Sequence, residues 1–346
     1  FGGNSNLQLD WLWVKRRDSS DSSKVFDTSR GIGSGSEPYL STNSEEEEQT
    51  YAYLTSVNSD GFTWDTTDNS TGASSNTYVA WAWKANGGST TTNDASATSV
   101  GTIDSVYQAN TTAGFSIVTY TGTGSAGTIA HGLGAVPSWI IIKARTEPTG
   151  GVHFGSDQGN WVVYHQGTAS DPETDLLLLN STAAAVDSTG HMNDTAPTSS
   201  VFTINTNVDV NESSDTYVAY CFAEKQGYSK FGSYTGNGNA DGPFLYLGFK
   251  PAWVMVKRTN TTGAWEIYDS ARNGNDSNPI NDRLRANDNA AENADDTSDY
   301  VSDFLSNGWK IRTNSGNWNT SGHTYIYMAF AEHPFVSSEG VPTTAR

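Results

Sequence analysis

Two stretches decide the fold: YTGTGSAGTIAHGLGAVPSWIIIK, residues 120–143, and YTGNGNADGPFLYLGFKPAWVMVK, residues 234–257. Laid on one another without a gap, ten of their 24 positions are identical, among them Tyr120, Thr121, Gly122, Gly124, Pro137, Trp139 and Lys143 of the first copy. Self-similarity at a fixed offset marks a repeated structural unit. A second offset places WLWVKR, residues 11–16, on WVMVKR, residues 253–258, and carries Val25 to Arg30 onto Ile267 to Arg272. Each copy continues with a Leu-x-x-Asn (Leu40, Leu177, Leu284) and an aromatic-x-apolar pair (Phe62, Phe202, Trp309). Each closes on an apolar strand beginning at Tyr78, Tyr217 or Tyr325.

The Trp-containing segments are short, β-branched and apolar on both alternating faces, which is the pattern of a strand covered on both sides. In the closing segments small and large residues alternate across the pleat, as in a tightly packed sandwich. Gly, Asn, Asp, Ser and Thr clusters between them supply turn chemistry. The expected fold class is therefore all-β, three tandem antiparallel β-sandwich (jelly-roll-like) repeats. Residues 1–86 make the first and 113–226 the second, a Ser/Thr/Gly linker spans 87–112, and 227–346 make the third. Ala-rich residues 289–294 and the segment 303–306 are expected to form short helical turns. The Tyr-Thr-Gly lead-in starts 19 residues ahead of the Trp in copies two and three, whereas only ten residues precede Trp11. The first copy is thus expected to be cut short and the chain to be the C-terminal part of a longer polypeptide.

Composition narrows the function. The 38 acidic residues against 19 basic ones give a formal charge of −19, which repels phosphate backbones, so no nucleic-acid partner is expected. No apolar run reaches the ~18 residues of a membrane-spanning helix, and no membrane insertion is expected. The single cysteine, Cys221, excludes an intrachain disulfide and takes a slot filled by Ala82 and Ala329 in the other copies, so it reads as a small buried residue. The recurring Lys15, Lys143 and Lys257 read as a packing feature, their stems snorkelling along the sheet edge.

No catalytic residue, metal ligand set or cofactor motif stands out. The six histidines lack HxH or HxxxH spacing. Glu224 and Glu332 are repeat equivalents in different copies and make no acid/base pair for glycoside cleavage. The acidic runs at 45–48 and 295–296 lack the spaced pattern of a calcium loop and read as solvated faces. What remains are non-repeated loop residues: Arg272, Arg283 and Arg285 form a basic cluster, and Trp318, with His323 nearby, lies beside the last hairpin. An aromatic platform flanked by amides and arginines suits a sugar face, so these five are the candidate glycan-binding residues, an inter-subunit contact being the equal alternative for them.

The blocks YSKFGSYTGNG (228–238), KPAWVMVKR (250–258), FLSNGWKIR (304–312) and MAFAEHPF (328–335) resemble a repeat found in virion-structural and tail-fibre-like proteins of marine tailed bacteriophages of the cyanophage type. The ending GVPTTAR, residues 340–346, is similar to the C-termini of such proteins. The resemblance implies a non-enzymatic fibre, spike or other exterior component, extracellular on the virion. It also implies assembly with other virion proteins, usually as a homotrimer, and contact with a host-surface glycan. A purely structural role such as capsid decoration, and polysaccharide depolymerase activity, are the alternatives.

Overall fold

A computed structural model describes residues 7–33, 35–147, 159–272, 278–294, 300–314 and 316–333. The ends of the chain, with Phe335 and residues 340–346, and the acidic pair Asp295 and Asp296 lie outside the described residues.

The protein is all-β, and every helix among the described residues is a single turn. Unit A contains β1 (Trp11–Arg16), β2 (Lys24–Asp27), β3 (Glu37–Ser41), β4 (Gln49–Tyr51), β5 (Leu54–Asn58), β6 (Gly61–Trp64) and β7 (Tyr78–Trp83). Unit B contains β8 (Thr91–Asn93), β9 (Ser105–Asn110), β10 (Phe115–Thr121), β11 (Gly127–Ala130), β12 (Trp139–Ala144), β13 (Val162–His165), β14 (Asp175–Leu178), β15 (Val186–Asp187), β16 (Val201–Ile204) and β17 (Thr216–Phe222). Unit C contains β18 (Ser229–Thr235), β19 (Phe244–Tyr246), β20 (Pro251–Arg258), β21 (Trp265–Asp269), β22 (Asp282–Arg285), β23 (Asn293–Ala294), β24 (Ser302–Leu305), β25 (Gly308–Ile311) and β26 (Thr324–Ala331).

In each unit the main antiparallel sheet is a meander closed by the last strand: β4-β3-β2-β1-β7, β15-β14-β13-β12-β17-β10-β9-β8 and β18-β26-β20-β21-β22-β23. The central Trp faces an aromatic of the closing strand in the same register each time: Trp11 opposite Trp83, Trp139 opposite Phe222, Trp253 opposite Phe330. A smaller sheet covers the outer face of each main sheet: β5-β6 in A, β11-β16 in B and β19-β25-β24 in C. Each outer layer encloses its own apolar cluster, for example Phe202 and Ile204 against Ile140 in B, and Trp309 and Ile311 against Val254 in C.

The inner faces of the three main sheets meet in one shared core. It gathers Trp11, Trp13, Trp81 and Trp83 from A, Trp139, Trp161 and Phe222 from B, and Trp253, Trp265 and Phe330 from C. The rings interlock across the seams, with Trp11 and Tyr220 at 4.9 Å, Trp83 and Trp253 at 5.6 Å, and Trp139 and Trp265 at 5.8 Å between centroids. The indole N–H groups of Trp11, Trp139 and Trp253 have no hydrogen-bond partner, so these three rings act by packing. Burying such a ring contributes several kcal/mol, of the order of the ~3–5 kcal/mol lost on truncation to Ala. The units therefore surround a common core, A against B, B against C and C against A.

Two sequence expectations are corrected. The segment 87–112 is not a free linker: β8 and β9 pair with one another and the whole of β9 pairs with Phe115 to Tyr120 of β10, extending the sheet of unit B. Its polar composition fits edge strands, which need only one apolar face. The segments 289–294 and 303–306 are not helical. Asn293 pairs with Arg283, and Ser302 to Leu305 form a hairpin with β25.

Candidate functional site

The proposed glycan platform does not assemble at the surface. Trp318 sits on the one-turn helix α4 (Gly316–Asn319) with 0% of its surface exposed. Its indole N–H donates to Glu266 Oε2 at 2.5 Å, and its ring meets Tyr268 edge-on at 4.3 Å. Glu266 lies on β21 and is fully buried. Burial pushes its carboxyl above the usual range, against the pull of Arg283, whose guanidinium stands 3.7 Å away, and of hydrogen bonds from Tyr268 and Trp318. Arg283 also lies over the Tyr300 ring at 3.7 Å. Trp318 and Arg283 thus serve the buried carboxylate of unit C's outer layer. The sequence signal for both is Glu266 itself, a charge inside the apolar strand WEIYD that needs partners when buried.

Arg272 is buried at the C–A seam. It donates to Asp269 Oδ2 at 2.6 Å, Ile267 O at 3.0 Å and Glu292 Oε1 at 2.5 Å. Arg30 in unit A makes the matching set with Asp27, Val25 O and Glu48. Arg285 is half-exposed and pairs with Asp288 at 3.0 Å. His323 is at the terminal hairpin, half-buried, with Nδ1 2.9 Å from Asn260 Oδ1. The five candidates thus separate into a buried carboxylate cage, a seam tie and two surface contacts.

The seams hold several further charged residues. At each, a backbone N–H from one unit donates to the carbonyl that follows the central strand of the next: Glu48 N to Arg145 O at 2.8 Å, Ala185 N to Thr259 O at 2.7 Å, and Glu292 N to Arg17 O at 2.7 Å. In two of the three the residue is a glutamate held between two arginines, Glu48 by Arg30 and Arg145, Glu292 by Arg272 and Arg17. The B–C seam is neutral at this position. There Trp265 Nε1 donates to Leu178 O at 2.8 Å, matching Trp161 Nε1 to Ser41 O at 2.9 Å across the A–B seam.

The three repeated lysines cross the same seams. Lys15 donates to Asn289 O, Lys143 to Glu45 O and Lys257 to Thr182 and Ala183 O, in each case in the neighbouring unit. Their ammonium groups are held inside, not extended to water along the sheet edge. Burial lowers Lys15 and Lys143 to about 8 and Lys257 to about 7. His165 stands on β13 where units A and C carry Asp27 and Asp269, and burial lowers its imidazole to about 3. Cys221 is fully buried with its thiol pushed up by desolvation. Glu224 pairs with Lys230 and Glu332 with Lys250. No group of three or more His, Cys, Asp or Glu gathers to hold a metal among the described residues.

Two features face outward. A groove of about 900 Å³ runs beside β7, with Ala80, Trp81, Trp83, Tyr228, Trp253 and Phe330 in its walls. On the outer sheet of unit C, Phe244 and Tyr246 stand on one face of β19, 44% and 65% exposed, with Leu305 across from them.

A family model described as a domain of unknown function, DUF7483, matches residues 3–334. The chain belongs to the DUF7483 family. The DUF7483 match takes in all three units, so the shared core and every seam fall inside it. No curated protein and no solved structure matches the chain.

Proposed function

We propose that this DUF7483 chain is a non-enzymatic structural component of a virion exterior, extracellular, and assembled as a homo-oligomer with other virion proteins. The observation that supports this most is where its ionisable side chains go. Arg30, Arg145, Arg17 and Arg272 hold two seam glutamates, the three lysines cap carbonyls of the next unit, and Glu266 is enclosed by Trp318, Tyr268 and Arg283. These residues lock three sheets into one body, and rigidity under load is what an exterior particle protein requires. The resemblance to tail-fibre-like repeats points the same way. Immunogold labelling of native particles with an antibody against this chain tests the reading. Regular labelling of the tail, fibre or capsid surface is expected. Unlabelled particles, or reducing sugar released from host polysaccharide by the purified chain, would overturn it.

Attachment to a host-surface glycan is a second reading, and one observation favours it: the exposed Phe244 and Tyr246 pair, which offers sugar-stacking faces that Trp318 does not. Host-cell binding that falls on Tyr246→Ala and survives Leu305→Ala, both surface changes, is the result this reading expects.

A further inference from the structure

The rings of the shared core are not closed off equally. Trp11, Trp13, Trp139, Trp161 and Trp265 are 2% exposed or less, whereas Trp81, Trp83 and Trp253 keep 8%, 6% and 5%, and Phe330 keeps 6%. These last four rings lie together in the wall of the groove of about 900 Å³. That volume falls within the ~300–1,000 Å³ of small-molecule sites. All three units contribute to the wall: Trp81 and Trp83 from A, Ala113 from B, and Tyr228, Trp253 and Phe330 from C. The groove is thus a junction at which apolar groups of every unit reach one space.

Its charge runs against that of the molecule. The polar residues of the wall are Lys84, Asn110, Thr112, Lys225 and Gln226. Two lysines and no carboxylate line it, on a chain in which 38 acidic residues outnumber 19 basic ones. The acids next to lining residues along the chain are already engaged, Glu224 with Lys230 at 3.0 Å and Glu332 with Lys250 at 2.8 Å. Among the described residues no ion pair engages Lys84 or Lys225. Both lysines flank one turn, between β9 and β10. Asn110 Nδ2 donates to Lys84 O at 3.2 Å, and the stem of Lys225 passes over Gly114, where an added Cβ would meet its Cγ at 2.9 Å. The groove therefore joins an aromatic wall to a cationic rim gathered at a single turn.

We infer that this groove binds an amphipathic monoanion, a single acyl chain ending in a carboxylate and taken up from solution. The chain packs against Trp81, Trp83, Trp253 and Phe330, and the head stands beside Lys84 and Lys225. Removing the chain from water supplies the affinity, and the two ammonium groups select the sign of the head. A cationic head loses the second contribution and a short acid such as acetate loses the first. Because the ligand touches units A, B and C together, its binding also stabilises the folded body by mass action. Nothing in this inference draws on where the protein sits on a particle.

The test titrates the full chain with dodecanoate below its micellar range, with calorimetry for stoichiometry and tryptophan fluorescence for the groove. One site per chain and a raised thermal midpoint are expected. Dodecyltrimethylammonium, the same chain length with the opposite head, should bind roughly tenfold more weakly, although the formal charge of −19 favours the cation everywhere else. Acetate should not compete. Lys84→Glu combined with Lys225→Glu should weaken dodecanoate roughly tenfold and leave the urea midpoint of the unliganded chain in place. Ala113→Trp, which fills the groove from its rim, should abolish binding. Equal affinity for the two heads, or unchanged affinity in the double variant, overturns the proposal. So does the absence of saturable binding to the full chain. Uptake from anionic phospholipid vesicles without binding of free dodecanoate makes this face a membrane contact and overturns it as well.

Discussion

Trp318 shows how far residue type misleads about place. In the polar run Asn317-Trp318-Asn319 an indole reads as an exposed ligand platform, yet it fills the outer core of unit C because Glu266 inside β21 needs a donor. Trp318→Ala should therefore destabilise the fold by ~3–5 kcal/mol, seen as a lowered midpoint in urea, before any effect on ligands. The repeated aromatic and lysine positions were legible in the sequence because periodic identity exposes them. The destination of each lysine was not, since its acceptors are backbone carbonyls of another unit. A pH prediction follows for Lys257. The unfolded chain keeps this proton up to about 10.5 and the folded one gives it up near 7, so the unfolded state binds more protons in between and stability rises with pH across that window. Lys257→Met should flatten that rise when unfolding midpoints are compared from pH 7 to 10.

The central and closing strands were legible through their apolar alternation, whereas the edge strands were not. Residues 91–110 are polar enough to read as linker, but Tyr107 and Ala109 pack one face of β9 against the outer-layer cluster of unit B. The seam glutamates were hidden differently. Glu48 ends a run of four acidic residues that reads as solvated, and Glu292 lies in an Ala-rich loop, yet each is gripped by two arginines from adjoining units. Removing Glu292 leaves Arg272 buried without its second carboxylate. Glu292→Gln is expected to cost ~2–4 kcal/mol, less than a fully buried pair because Arg17 is partly exposed. The loss should shrink in high salt, whereas Trp265→Phe at the neutral B–C seam should show no such salt dependence in the same denaturation assay.

Over the whole molecule, the chain's aromatic richness and poverty in charge have one explanation: three inner sheet faces share a core that no unit encloses alone. Trp11, Trp139 and Trp253 each pack against rings from a neighbouring unit, Tyr220, Trp265 and Trp83 respectively. The formal charge of −19 then falls mainly outside that shared core, where like charge sets up mutual repulsion between copies. Single-sequence reading reached the all-β class and the equivalent positions but not the closure, because closure depends on contacts between positions a hundred or more residues apart. Differential scanning calorimetry of the full chain tests that closure directly. One transition, with calorimetric and van't Hoff enthalpies in agreement, is the predicted result; separate transitions for units A, B and C would contradict it.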